Sequence, residues 1–303
     1  MQTSSINKQS VFTQIEKLIL QGGPTRKEFA LVDGLVNEIS ELAQQEMISK
    51  ADLDVIRSQC DFINDPLSIM GHIRCKPYGY AGDFEIIDRI YQHNIKEDKY
   101  ANWDTYSLNN SAAQAVRNRK SYFKAMMAEK LSTSNTPIEL LDVASGPARD
   151  LFEMYNSMTN PEQVATTCVE LDATAIAFAE KLNHPHLDQI EFLNANIFRF
   201  KTEQKFDVIW SAGLFDYFDD KAFKFVLSRF KTWLQPGGEI VIGNFNEDHN
   251  PSRPYMEIWG DWFLNHRTAK DLERLAIESG FDHKQVSVGR EPENINLFLH
   301  IKG

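Results

Sequence analysis

Residues 141–150, LDVASGPARD, set an apolar run directly before a turn of small side chains. Gly146 lets a ligand approach the backbone where any side chain would collide, and Ala144 and Ser145 are small enough to leave the same space. A helix starting behind such a turn presents free N–H groups and a partial positive charge. Asp142 and Arg149 flank the turn and belong to the same candidate ligand site. The pattern is not the dinucleotide-binding G-x-G-x-x-G, since positions 144 and 149 are Ala and Arg. A single glycine turn after a strand is also a common structural device, so further residues must decide.

Cys168-Val169-Glu170-Leu171-Asp172 supplies the next signal. An acid closing the second strand, here Glu170, is placed to accept hydrogen bonds from ribose hydroxyls. Leu171 and Asp172 continue this stretch, with Asp172 alternatively capping a helix that starts near Ala173 or Thr174. After a third strand, Asn196 and Ile197 pair a polar and an apolar side chain suited to the edge and face of adenine, although an ordinary loop would look the same. Ser211, Ala212 and Gly213 end a fourth strand in small residues, so that a ligand can lie across the sheet edge.

Three stretches could act on a second substrate. The first is GHIRCKPYGYAGDF, residues 71–84, read as an ordered loop. In it Arg74 would pair with a carboxylate, which its planar fork matches with two hydrogen bonds. Tyr80 and Asp83 would close over a bound ligand. The second is Asp216-Tyr217, just past the fourth strand, with Tyr217 the candidate catalytic group. The third is residues 244–267, rich in aromatics, whose Trp259 and Trp262 line an apolar pocket or belong to a core. His249 is the candidate base there and His266 the alternative, although a lone histidine is more often structural.

The elements that must position these residues fall into two parts. Residues 1–104 read as helices plus the 71–84 loop. Val11, Ile15, Leu18 and Ile19 recur at helical spacing, as do Phe29, Val32, Leu35, Val36, Ile39 and Leu42, with a third helix over 51–63. Residues 105–303 form the second domain. A helix covers about 111–131, and short apolar strands then alternate with helices: 138–143, 164–171, 190–193, 206–211 and 239–244. The pattern ends in two strands, 285–288 and 295–301, read as an antiparallel hairpin at the sheet edge. The expected class is α/β: a Rossmann-like, seven-stranded, mostly parallel sheet with a reversed last strand, plus an N-terminal helical domain.

Composition narrows the function. The chain has 303 residues and a net charge of −11, an acidity that disfavours phosphate backbones and so nucleic acid. Three cysteines without metal-ligand spacing fit a reducing compartment, and no metal site is expected. The N-terminal decapeptide lacks the apolar core of a signal peptide, and no run is long enough to span a membrane. A cytoplasmic protein without membrane insertion is the expectation. A homodimer paired through the N-terminal helices is a candidate arrangement that the residues do not fix.

The order and spacing of these motifs resemble those of class I S-adenosylmethionine (SAM)-dependent methyltransferases over about two thirds of the chain. LDVASGPARD resembles the first motif, CVELDATAI the second, and FDVIWSAGLFDYF and LQPGGEIVI those of the fourth and fifth strands. Pro147 and Arg149 depart from the glycine or small residues that many members carry. The resemblance implies SAM as methyl donor, S-adenosylhomocysteine as product and a small-molecule acceptor methylated at oxygen, a carboxylate or hydroxyl. A protein-directed methyltransferase and a non-catalytic SAM-binding interaction protein are the alternatives. The 71–84 segment with the N-terminal helices is also similar to bacterial methyltransferases of hydroxy-fatty-acid methyl ester biosynthesis.

Overall fold

Apolar runs that are buried on both faces belong in the middle of a parallel sheet, and five of them form its centre. The computed structural model describes residues 2–303, with side chains from Lys8 onward. The strands are β1 (Ile138–Val143), β2 (Val164–Glu170), β3 (Ile190–Asn194), β4 (Phe206–Ser211), β5 (Leu234–Phe245), β6 (Val286–Arg290) and β7 (Asn296–Lys302). They build one sheet in the order β3-β2-β1-β4-β5-β7-β6. β1 to β5 pair in parallel, and β7 runs antiparallel to both β5 and β6. The expected hairpin is therefore present, with its second strand inserted between β5 and β6. β5 begins five residues before the expected start. Its start takes in Gln235–Gly238, where Gly237 has a φ of 78°, and the pairing with β4 shifts register between Phe206 and Val208 to absorb it.

Side chains alternate between two apolar layers. Leu141, Val143, Ile209, Ile240, Ile242, Leu297 and Leu299 pack on one face against the helices Asp220–Trp233 and Ala269–Glu278. Leu140, Cys168, Val208, Trp210, Val241 and Phe298 pack on the other against Phe123 and Met127 of the helix Ser111–Thr133 and Leu151 and Met154 of the helix Arg149–Ser157. The chain leaves β1 toward β2 and β3 on one side and resumes at β4 and β5 on the other. Strand order therefore reverses between β1 and β4, where open α/β sheets take their ligands.

The chain divides into two compact units, residues 1–114 with 251–263, and residues 115–250 with 264–303. The second holds the sheet. The first is helical, and buried polar bonds fasten it. Arg89 lies 3.6 Å from Asp104, which accepts the Ile69 N–H, and Arg57 donates to the Ile258 carbonyl. Trp259 is buried near Phe62, which stacks on Trp103 at 3.8 Å, so this tryptophan fills the unit's interior. The third expected helix is divided into Lys50–Ser58 and Asp61–Asn64, because the buried Cys60 takes an extended backbone between them.

Residues 71–84 correct the expectation of one continuous loop. Gly71–Cys75 belong to the helix Ile69–Cys75, which Ser68 caps, and only residues 76–83 are irregular. A side chain at Gly71 would overlap the Asp65 carbonyl, so this glycine serves close packing of the helix. A buried pair orders the remaining loop. His72 Nε2 lies 2.8 Å from Asp83, and Asp83 also caps the helix Phe84–Gln92 through the Ile86 N–H. Among the described residues no helix is long and apolar enough to cross a membrane.

Candidate active site

The turn after β1 is built from three residues in the left-handed region: Ala144 (φ 58°), Gly146 (φ 53°) and Ala148 (φ 48°). Glycine enters this region freely, whereas each alanine costs on the order of 1 kcal/mol or more. Hydrogen bonds hold the strained path. The Ala144 N–H donates to the Val169 carbonyl (2.8 Å), Ser211 Oγ to the Val143 carbonyl (3.0 Å), the Ala148 N–H to the Ser145 carbonyl (3.0 Å) and Asn183 Nδ2 to the Ala148 carbonyl (3.2 Å). A Cβ built on Gly146 meets nothing within 4 Å, so the turn opens onto free space on that side. The helix Arg149–Ser157 starts directly behind it.

Glu170 ends β2 and is buried. Its Oε2 accepts the Gly146 N–H (3.0 Å), and its Oε1 accepts those of Leu171 (2.7 Å) and Asp172 (2.9 Å). A carboxylate has about four acceptor positions, so roughly one is left for a ligand. Burial raises the Glu170 pKa, against the pull of these three N–H groups. Asp172 caps the helix Ala173–Leu182 through the Thr174 N–H, the second of its two expected roles. Leu171 is 65% exposed at the strand end.

Asp142, on β1, faces the helix Ser111–Thr133. Its Oδ2 is buried with no hydrogen-bond partner. Burial first, then the charges of Asp150 and Glu170, hold its carboxyl well above the usual carboxylate range, while Arg119 pulls it down. Burial likewise raises Asp150, in the first turn of the helix behind the glycine turn. The nearby cation is Arg119, itself buried, whose Nη1 donates to the Ala212 carbonyl (2.5 Å) and would lie 3.3 Å from a Cβ on Gly213. Neither Arg119 nor Asp150 was expected from sequence. Arg119 sits in a stretch, VRNRKSYFK, that reads as a solvated helix face.

The loop after β4 carries a fourth buried acid. Asp216 Oδ1 accepts the Phe245 N–H (2.7 Å), and burial pushes its pKa up to about 6 against that bond, Arg119 and Arg267. Arg267 pins the same loop by donating to the carbonyls of Phe215 and Phe218 and to Asn244 Oδ1. Tyr217, beside Asp216, is 41% exposed.

The remaining expected residues take separate places. Asn196 Oδ1 accepts the Phe198 N–H (2.9 Å) in a turn, and Ile197 is buried in the core layer with Val169 and Phe206. His249 stands in an exposed irregular segment. His266 is tied to Asn250 and to the Leu264 carbonyl. Arg74, at the end of the helix Ile69–Cys75, and Tyr80, in the irregular stretch after it, lie in the helical unit. The structure thus brings together Asp142, Ala144, Ser145, Gly146, Arg149, Glu170, Leu171, Asp172, Ser211, Ala212 and Gly213 at the carboxyl ends of β1, β2 and β4.

Residues 140–238 match the family model of a methyltransferase domain. The chain carries a class I SAM-dependent methyltransferase domain. No curated protein matches it in sequence. Among solved structures, a possible exported protein from Bordetella parapertussis aligns over 99% of this chain and 96% of its own, with a TM-score of 0.64 and 15% identity. The SAM-dependent methyltransferase SibL, in its apo form, aligns over 87% and 76% with a TM-score of 0.52 and 13% identity. Magnesium protoporphyrin IX methyltransferase ChlM from Synechocystis PCC 6803, with bound SAM, aligns over 78% and 97% with a TM-score of 0.52 and 8% identity. These are likenesses of fold. The charge at the edge of the methyltransferase domain agrees with the class. Asp142 and Asp150 face the Arg119 guanidinium and Glu170 adds a third buried acid beside Asp142, an arrangement that repels a pyrophosphate and gains from a ligand bearing positive charge.

Proposed function

We propose that the protein transfers the methyl group of SAM to a small-molecule acceptor at oxygen, a carboxylate or a hydroxyl, and that it works in the cytoplasm. The observation that carries this reading is the buried, unpaired Oδ2 of Asp142 beside Asp150, Glu170 and Arg119. SAM supplies an electrophilic methyl on a sulfonium, together with an ammonium and a carboxylate at its amino-acid end. Asp142 holds the ammonium and Arg119 the carboxylate. Glu170 offers its remaining acceptor position to a ribose hydroxyl, and the Gly146 turn leaves room for the backbone of the ligand. The three cysteines are unpaired, which suits a reducing compartment.

Methyl transfer is an in-line displacement, so the protein's main work is to hold the acceptor oxygen against the methyl carbon and exclude water. A carboxylate acceptor needs no base. For a hydroxyl, Asp216 at the ends of β4 and β5 is the group whose pKa suits proton removal near neutrality. Tyr217 beside it and His249 remain candidates for contact with the acceptor, as Arg74 and Tyr80 do for the cofactor.

The test is calorimetric titration with SAM and S-adenosylhomocysteine, followed by label transfer from methyl-labelled SAM to a panel of carboxylates, phenols, alcohols and amines. Micromolar cofactor binding, lost in Asp142→Asn, and labelling confined to oxygen acceptors are the expected results. A folded protein that ignores the cofactor, or one that labels amines alone, would overturn the reading.

A further inference from the structure

Asn296 opens β7 and is 1% exposed, yet neither its Nδ2 nor its Oδ1 has a hydrogen-bond partner. Among the described residues it is the one carboxamide side chain with both its nitrogen and its oxygen buried and unmatched. Leaving such groups unpaired is costly, and native structures rarely do so without a reason. Its neighbour Glu291 cannot relieve it. Glu291 already accepts the N–H groups of Ile295 and Asn296 on Oε1 and those of Glu293 and the Asn118 amide on Oε2. The other buried asparagines of this edge are engaged at both ends. Asn244 donates to the Phe245 and Asn265 carbonyls and accepts from Arg267, while Asn246 donates to the Asn294 carbonyl and accepts from the Asp248 N–H.

Its position gives the orphaned amide a purpose. Leu297, Leu299 and Ile301 point into one core layer, so alternation along β7 turns Asn296 to the other face. Phe298 on that face stacks on Tyr122 at 3.9 Å, and Asp142 and Ala212 project from the same face. β7 starts at the carboxyl edge, where Asn296 pairs with Phe245 at the end of β5. From β1 to β7 are three strand spacings, roughly 14 Å. If the nucleoside half of the cofactor lies toward β2 and its amino-acid end at Asp142, the acceptor occupies the β4–β5–β7 side. Between the two polar groups the face carries the small residues Ala212, just past β4, and Gly243 on β5, with Arg119 over Ala212 and Phe245 opposite Asn296.

We infer that Asn296 is a specificity-determining residue that holds a group of the methyl acceptor able both to donate and to accept a hydrogen bond, a hydroxyl or a carboxamide. A bare carboxylate would satisfy only the Nδ2 side. The inference rests on the methyltransferase reading above and adds what the acceptor must carry beside the methylated oxygen.

The test compares wild type with Asn296→Leu, with Asn296→Ala held for the same comparison if leucine fails to pack. Three measurements are made: melting of the ligand-free protein, calorimetric titration with S-adenosylhomocysteine, and binding of the matched probes mandelate and phenylacetate to the cofactor-loaded protein. The two probes differ by one hydroxyl. The expected result is a melting temperature equal to or above that of wild type, unchanged cofactor affinity, and a wild-type preference for mandelate of roughly tenfold or more that the variant loses. A variant that melts lower shows that water or the chain already satisfies the amide, and this overturns the inference. So does a wild type that binds the cofactor but treats the probes alike, an outcome that leaves the methyltransferase reading standing. Failure of wild type to bind the cofactor removes both.

Discussion

Glu170 Oε2 accepts the Gly146 N–H at 3.0 Å, so the acid that ends β2 holds in place the turn that ends β1. One carboxylate therefore has two tasks, to brace the strained turn and to leave an acceptor position for a ribose hydroxyl. Glu170→Ala should weaken SAM binding by about 1.5–3 kcal/mol, the worth of a hydrogen bond to a charged group. It should also lower the melting temperature, because three backbone N–H groups lose their acceptor. Glu170→Gln keeps an oxygen for the turn and should recover more stability than affinity. Calorimetry and melting on both variants separate the two tasks. Full affinity in the alanine variant would remove the ribose assignment.

Gly146 tests the open side of the same turn. Its φ of 53° is also the conformation of Ala144 (58°) and Ala148 (48°), so the chain already tolerates alanine there. A Cβ at 146 meets no protein atom within 4 Å. Gly146→Ala should therefore fold at a cost of about 1 kcal/mol, and Gly146→Val at somewhat more. Both should lose cofactor affinity by an order of magnitude or more, since the new side chain enters ligand space. Normal titration curves would mean that the turn is only structural.

Much of this site was legible in sequence because its signals are local. The apolar run of β1, the small residues of 144–146 and the acid closing β2 lie within short stretches whose periodicity and turn chemistry declare their structure. Asp172 as a helix cap was readable for the same reason. Arg119, Asp150 and Asn296 were not. Each is an ordinary polar residue in its own stretch, and it acquires meaning only when strands far apart in sequence bring the partners together. The 71–84 segment misled in part because Gly71 looks like a loop glycine, whereas it is there for close packing against the Asp65 carbonyl.

Arg119 is the counter-charge for Asp142, Asp150 and Asp216, and its removal should be felt by all three. It lowers the pKa of Asp142, Asp150 and Asp216 alike. Arg119→Gln keeps a donor for the Ala212 carbonyl but removes the charge. The variant should bind SAM at least tenfold more weakly, because the cofactor carboxylate loses its partner and the acids shift further toward their neutral forms. Arg119→Lys should recover only part of the loss, since lysine cannot present the planar fork. Equal titrations for wild type and the glutamine variant would remove Arg119 from the site.

Asp216 ties stability and activity to pH in opposite directions. Burial raises its pKa from the ordinary 3.8 to about 6. The folded protein thus keeps the proton at pH values where the unfolded chain has lost it. The stability this contributes is complete below 3.8 and is lost as pH rises through about 6, a loss of order 3 kcal/mol at one pKa unit per 1.36 kcal/mol. Activity on a hydroxyl acceptor should rise over the same interval, because only the ionised carboxyl can take the proton. Asn at this position still accepts the Phe245 N–H through its side-chain oxygen, so Asp216→Asn should fold. Urea unfolding between pH 4.5 and 7.5 should show the wild type losing stability relative to the variant as pH rises. The pH–rate profile should lose its acidic limb in the variant, leaving a low, flat rate. A variant that follows the wild-type profile in both experiments would show that Asp216 neither titrates in this range nor serves as the base.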